Sequence, residues 1–234
     1  MTALPGTDNP FDHLSQGDAM AYFQRREERV IPKVEQLMAA DPKLPFISAY
    51  IMAGDLVRAD EVFELLGEGK VTWDQAEMMT GSYGRLDLRA RALANEYITV
   101  EQAIEDLPAT WRGSDPDDTD PRFLALWKLA FRANRYRTVR DRKGAPIPAL
   151  RGSGELVRIY RGQDEGAPFG IAWSLSKVTA TKFANGAATR QRSRNGVVYE
   201  AKVERKHILG YCVERGENET IVDPQHLQQV RVVR

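Results

Sequence analysis

Two carboxylates stand two residues apart in Arg215-Gly216-Glu217-Asn218-Glu219-Thr220-Ile221-Val222-Asp223, just past a glycine and at the mouth of an apolar run. In an extended chain residues i and i+2 share a face, so Glu217 and Glu219 project together from the start of a strand. Like charges on one patch repel, and such a pair needs a hydrogen-bond donor or a displaced proton affinity. The pattern suits acid/base work or stabilisation of a developing cation. It equally suits an exposed turn with two solvated glutamates.

The chain around this pair has 234 residues, enough for one large domain or two small ones. An apolar fraction of 42% supports a sizeable core, and a charged fraction of 28% is ordinary for a soluble protein. No apolar run is long enough to span a bilayer. Met1-Thr2-Ala3-Leu4-Pro5-Gly6 has neither the basic segment nor the apolar core of a signal peptide. The single cysteine, Cys212, cannot form an internal disulfide and lies in a run that reads as a buried strand, so a packed thiol is its expected role. Three scattered histidines give no zinc-site spacing. The expectation is a cytoplasmic protein without metal and without membrane association.

A net charge of zero conceals an asymmetry. Residues 151–234 carry 14 Lys and Arg against 9 Asp and Glu, whereas residues 1–150 carry 19 against 24. The C-terminal part could favour an anionic ligand such as a dinucleotide or nucleic acid. Two oppositely charged halves packing together would give the same pattern.

Residues 1–17 read as loosely ordered. Helical spacing begins at Asp18 with Ala19, Tyr22 and Phe23, and Pro32 should kink or restart that helix before a second segment over 34–40. Residues 46–52 and 60–66 read as short helices separated by Gly54. Thr72 and Thr99 each stand three residues before a glutamine with an apolar residue just ahead, a capping-box spacing that predicts helix starts at both. The first 110 residues are predominantly helical on this reading and hold no catalytic constellation. Residues 113–121, rich in Asp and Pro, form the expected boundary between a helical region over 1–112 and a second domain over 122–234. Asp120 as N-cap and Pro121 as first helical residue open a helix through Tyr136, with Phe123, Leu126, Trp127 and Ala130 on its core face.

After Gly154 the period changes. Residues 155–161 read as a strand, followed by a glycine-rich loop from Gly162 to Gly170, a second strand over 171–175, and a short helix over 177–184 capped by Ser176 with Ala180, Phe183 and Ala184 inward. Four more strands are predicted over 196–203, 207–213, 220–222 and 229–233. Many short strands with few helices predict a mixed or antiparallel β-core, and an α+β chain overall.

Three signals along these elements carry a resemblance. They are Tyr160-Arg161-Gly162 ending the first strand, Trp173-Ser174-Leu175-Ser176 running from the second strand into a helix that holds Ala180 and Phe183-Ala184, and Glu217-Asn218-Glu219-Thr220-Ile221-Val222. Together they resemble the ADP-ribosyltransferase family, in the clade named for its arginine–serine–glutamate triad, the cholera-toxin-like one. The resemblance covers about residues 155–234, with a possible start near 120. Many members have Thr between the two serines, where this chain has Leu175.

The resemblance implies a split β-sandwich catalytic domain and NAD as substrate, with no metal. It implies transfer of ADP-ribose to a macromolecular acceptor, and a bacterial or phage toxin or defence effector that an antitoxin or inhibitor protein could restrain. Glu219 would hold the ribose 2′-hydroxyl and stabilise the oxocarbenium-like ribose. Its bland alternative is a strand-end charge. Arg161 would fork onto the diphosphate or adjacent ribose, or serve as a structural salt bridge. Gly162 would let its backbone approach the nicotinamide amide, or be an ordinary turn glycine. Ser174 would position Glu219, or be a satisfied strand hydroxyl. Ser176 would join the site or only cap the following helix. Tyr160 belongs to the same cofactor-binding set. Trp173 and Phe183 would line the nicotinamide pocket, with core packing the alternative for Phe183. Glu217 would orient and deprotonate the acceptor, and glutamate at that place points to protein arginine. The alternating Arg190, Arg192 and Arg194, with Lys202, Arg205 and Lys206 beyond, point instead to a nucleic acid, or form a solvated connector. Water as acceptor, giving NAD hydrolysis, and a catalytically inert module that binds NAD or a partner complete the alternatives.

Overall fold

The computed structural model describes residues 16–42, 44–114, 116–133, 156–186, 195–212 and 218–233. Among the described residues seven α-helices precede six strands, with an eighth helix after the second strand: α1 Gln16–Ala40, α2 Phe46–Gly67, α3 Trp73–Met79, α4 Arg85–Ala94, α5 Val100–Ile104, α6 Leu107–Gly113, α7 Pro121–Arg132, β1 Leu156–Asp164, β2 Ala172–Ser174, α8 Lys177–Ala184, β3 Gly196–Glu204, β4 Ile208–Cys212, β5 Glu219–Val222 and β6 Gln228–Val232. The chain is α+β. No helix among the described residues is long and apolar enough to cross a membrane.

Helix starts follow their caps. Thr72 Oγ1 accepts from the Gln75 amide at 3.3 Å while Gln75 Oε1 accepts from the Thr72 amide at 2.9 Å. Thr99 and Gln102 repeat this reciprocal pair at 3.2 and 2.9 Å. Asp120 Oδ1 accepts from the Arg122 amide at 2.8 Å, with Pro121 opening α7.

Neither a restart at Pro32 nor a break at Gly54 occurs. α1 continues through Pro32, and α2 runs unbroken through Gly54. Packing overrides both local penalties. Val30 and Val34 of α1 bury against Ala49, Ala53 and Val57 of α2, so interrupting either helix would expose this seam. Gly54 also has a tertiary role, since its carbonyl accepts from Arg26 Nη2 at 3.4 Å. The side chains of Ala19, Tyr22 and Phe23 lie outside the described set.

The strands form one antiparallel sheet in the order β4-β5-β2-β1-β3-β6. Its middle is narrow. Nine residue pairs join β1 to β3, from Leu156↔Glu204 to Asp164↔Gly196, but a single pair, Tyr160↔Ser174, joins β1 to β2. Three-stranded halves therefore meet at one bridge, and side chains from both halves fill one cluster: Val157, Ile159, Ala201 and Val203 with Trp173, Ile208 and Val222. The other face of the β4-β5-β2 half carries Cys212, Ile221 and Leu209 into a cluster with Trp111, Phe123, Leu126 and Trp127 of α6 and α7. That cluster also includes Leu86 and Leu88 of α4, so one core crosses the boundary expected at 113–121. α7 touches α4 and α5 on one side and β4 on the other.

Helix α8 lies on the β1-β3-β6 half, over Tyr160 and Val198. β1 runs on through Gly162 to Asp164, three residues past its expected end, because Gly162 pairs with Val198 inside the ladder. The reason for a glycine there is α8. A Cβ at Gly162 would overlap the carbonyl oxygen of Ala180 and come within 2.5 Å of the Ala184 amide nitrogen. Gly162→Ala should lower stability by about 3 kcal/mol, because helix backbone rather than a flexible side chain must give way. A urea-unfolding free energy that falls by less than about 1 kcal/mol would contradict the packing.

Candidate functional site

Register decides which candidates share a surface. Directly opposite residues in an antiparallel pair project from the same face. Cys212 pairs with Glu219, Glu219 with Ser174, Ser174 with Tyr160, Tyr160 with Glu200, and Glu200 with Arg231. This row crosses all six strands and sets Ser174 directly beside Glu219 at the ends of β2 and β5. Asn218, just ahead of β5, is tied down as well, since its carbonyl accepts from the Leu175 amide at 3.0 Å. Asn218 has φ 47°, a left-handed conformation that asparagine tolerates better than most residues. Buried Thr220, opposite Trp173 in the ladder, donates from Oγ1 to the Trp173 carbonyl at 3.1 Å.

Ser174 is buried, and its Oγ accepts from the Ser176 amide at 3.0 Å. Ser176 Oγ in turn accepts from the Thr179 amide at 3.2 Å and caps α8. The two serines thus fix the path from β2 into α8. Glu219 is half-buried, and its Oε1 accepts from the indole Nε1–H of Trp111 at 3.1 Å. A residue of the helical region therefore reaches the glutamate. Sequence reading missed Trp111, because it lies 108 residues away at the end of a helical region that shows no catalytic constellation.

Arg161 stands on the opposite face of β1 from Tyr160, and so from Ser174. Its guanidinium forks onto Asp118, with Nη1 to Oδ2 at 2.5 Å and Nη2 to Oδ1 at 3.0 Å. Nη1 also donates to the Ala172 carbonyl at 2.6 Å, and Nε donates to Gln163 Oε1. Asp118 itself accepts the Ala172 amide at 3.0 Å, and its carbonyl accepts the Ile171 amide at 3.0 Å. Arg161 and Asp118, only 16% and 17% exposed, thereby bind the segment before α7 to β1 and β2. Of the two alternatives read from the sequence, these contacts are those of a structural ion pair. Asp118 was hidden in an acidic turn that read as a linker, and no local signal distinguishes it from its neighbour Asp117.

Trp173 is 2% exposed and packs with Val157 and Ile159, while its Nε1 donates to the Gly170 carbonyl at 3.2 Å. It is a core residue rather than the wall of an open cavity. Phe183 is half-buried on α8, whose buried residues are Ala180 and Ala184. Gly162 faces α8, so its backbone is covered there by helix. Glu217 lies outside the described residues, as do Arg190, Arg192 and Arg194.

A shallow polar depression of about 180 Å³ lies farther along the face that carries Tyr160, lined by Arg158, Glu200, Lys202, Gln229 and Arg231. Glu200 is its floor. A hydrogen bond from Arg231 Nη2 at 2.6 Å, outweighing desolvation, holds the Glu200 carboxyl below its usual range, with the charges of Arg231 and Arg158 adding to the effect. The side chains of Arg158 and Arg231 remain more than half exposed, so the depression presents three cations around one anion. Three register steps separate Glu200 from Glu219, about 14 Å at the usual strand spacing.

Comparison with protein-family models, with curated proteins and with solved structures returns no match for this chain.

The Arg161–Asp118 geometry has a direct test. Asp118→Ala strands a half-buried guanidinium and removes the acceptor of the Ala172 amide, and should cost about 3 kcal/mol. Adding Arg161→Met should recover a good part of that loss, since an apolar side chain of similar length needs no partner. A double variant no more stable than Asp118→Ala would show that the pair is not the source of the loss.

Proposed function

We propose that this chain transfers ADP-ribose from NAD to a macromolecular acceptor. The observation that supports this reading is the pairing of Ser174 with Glu219, side by side on one face at the ends of β2 and β5, with Glu219 only half-buried. The joining of two three-stranded halves at one bridge agrees with the split sandwich that the resemblance implies.

In this reading the bond between the ribose C1′ and the nicotinamide nitrogen breaks, and its electron pair leaves with neutral nicotinamide. Positive charge grows on the ribose, and the fixed carboxylate of Glu219 stabilises it while holding the 2′-hydroxyl. The acceptor then bonds to C1′ and gives up a proton. Glu217 takes the acceptor-side role, with protein arginine the leading acceptor class. Ser174 anchors the strand end beside Glu219. Arg161 contributes by holding β1, β2 and the segment before α7 together rather than by gripping the diphosphate, because its fork is spent on Asp118.

One observation favours a second acceptor class. The cationic depression lies on the same face as Glu219, with Arg231 on its row and the Arg158↔Lys202 pair two residues farther along the strands. It would repel an arginine-rich target and attract a phosphodiester backbone.

Glu219→Gln should lower NAD turnover by about 100-fold or more, the usual loss when one pre-placed charge-stabilising group is removed. Near wild-type turnover in that variant would sink the site. Labelled NAD incubated with the protein and a cell lysate separates the acceptors: protease-sensitive label means protein, nuclease-sensitive label means nucleic acid, and free ADP-ribose alone means hydrolysis. No nicotinamide release leaves an inert binding module. If nucleic acid is the acceptor, Arg158→Glu with Arg231→Glu should reduce nuclease-sensitive labelling by about tenfold while nicotinamide release into water stays within twofold. Unchanged labelling would exclude the depression as the acceptor surface.

A further inference from the structure

We propose that Trp111 is a positioning residue for Glu219, so that the helical region completes the site instead of only flanking it. This rests on the reading of Glu219 as the residue that meets the ribose cation. Trp111 is 4% exposed, and a buried indole N–H is costly unless it finds an acceptor. The acceptor it finds is the Glu219 carboxylate, 3.1 Å away across 108 residues of sequence.

The ring cannot swing freely. It meets Phe123 edge-on with centroids 6.5 Å apart at 84°, and Trp127 at 6.0 Å and 78°. Trp127 is in turn seated on β4, where Gly210 has no Cβ because one would overlap that indole. The direction of the Trp111 N–H is therefore set by packing against the same half-sheet that carries Glu219.

The chemistry of the donor matters. A glutamate side chain has three torsions, and a carboxylate that stabilises a cation must be held before the charge appears. Arginine or lysine would hold it but would add positive charge beside a developing oxocarbenium ion. An indole N–H is neutral, so it restrains the carboxylate without cancelling its charge. Five residues past the end of α6, Asp118 grips Arg161. The stretch from Trp111 to Asp118 thus holds a candidate residue on each side of the Tyr160↔Ser174 bridge.

The test compares Trp111→Phe with Trp127→Phe. Both shorten a buried ring in one stack, but only the first removes the donor to Glu219. Trp111→Phe should lower kcat for nicotinamide release about tenfold with KM for NAD within twofold, the signature of a group that acts in the transition state. Trp127→Phe should leave kcat within twofold even at an equal loss in Tm. Equal losses in both variants, or an unchanged kcat in Trp111→Phe, overturn the proposal. A readout that needs no activity keeps it separate from the functional reading. In ¹⁵N-labelled protein the Trp111 indole N–H resonance should move in Glu219→Gln, by more than the indole resonances of Trp73 and Trp127. If wild-type protein releases no nicotinamide, the transferase reading fails, and this resonance alone decides: a shift sustains the Trp111–Glu219 coupling, and none overturns it.

Discussion

The structure depends on how its two half-sheets are joined. A single residue pair, Tyr160↔Ser174, carries the ladder across the middle. One such pair is a weak mechanical joint, and it is reinforced from outside the sheet. Asp118 takes the Arg161 fork from β1 and the Ala172 amide from β2, while its carbonyl takes the Ile171 amide. A carboxylate with two oxygens can satisfy a guanidinium and a backbone amide together, which a neutral side chain could not do as strongly. The joint is thereby drawn into the helical region, and the candidate site stands beside it.

The same dependence appears in the core. Helices α2 to α6 and the face of β4 and β5 share one apolar cluster, with α7 between them. Trp127 sits at its centre, fully buried and pressed on Gly210. Lys128, from the same helix, extends a salt bridge of 2.7 Å to Asp223 just beyond β5. Apolar contact and charge therefore both tie α7 to the strand that begins with Glu219.

Much of this was legible in the sequence. The caps at Thr72, Thr99, Asp120 and Ser176 depend on residues three or fewer apart, so local reading finds them. The six strands were also legible, because alternation and β-branched content are local. What local patterns cannot carry is which face a strand turns toward a given neighbour. Arg161 and Ser174 stand at recognisable places in the chain, yet the Tyr160↔Ser174 register sends them to opposite faces. Asp118 and Trp111 were invisible for a related reason: each acts on a residue more than 40 positions away. Pro32 and Gly54 misled because a local penalty of a few kcal/mol is outweighed by a seam of buried valines and alanines.

The shared cluster beneath α7 bears on how such a chain could have arisen. Ile171, Leu209, Cys212 and Ile221 turn toward helices rather than toward other strands. A sheet unit carrying these residues is not interchangeable with another by simple recombination at the acidic turn. A new N-terminal partner would have to offer a matching apolar surface, an aromatic ring for Gly210 to seat, and an acid for Arg161. The helical and sheet portions are therefore constrained to change together, residue against residue, although they read in the chain as separable pieces.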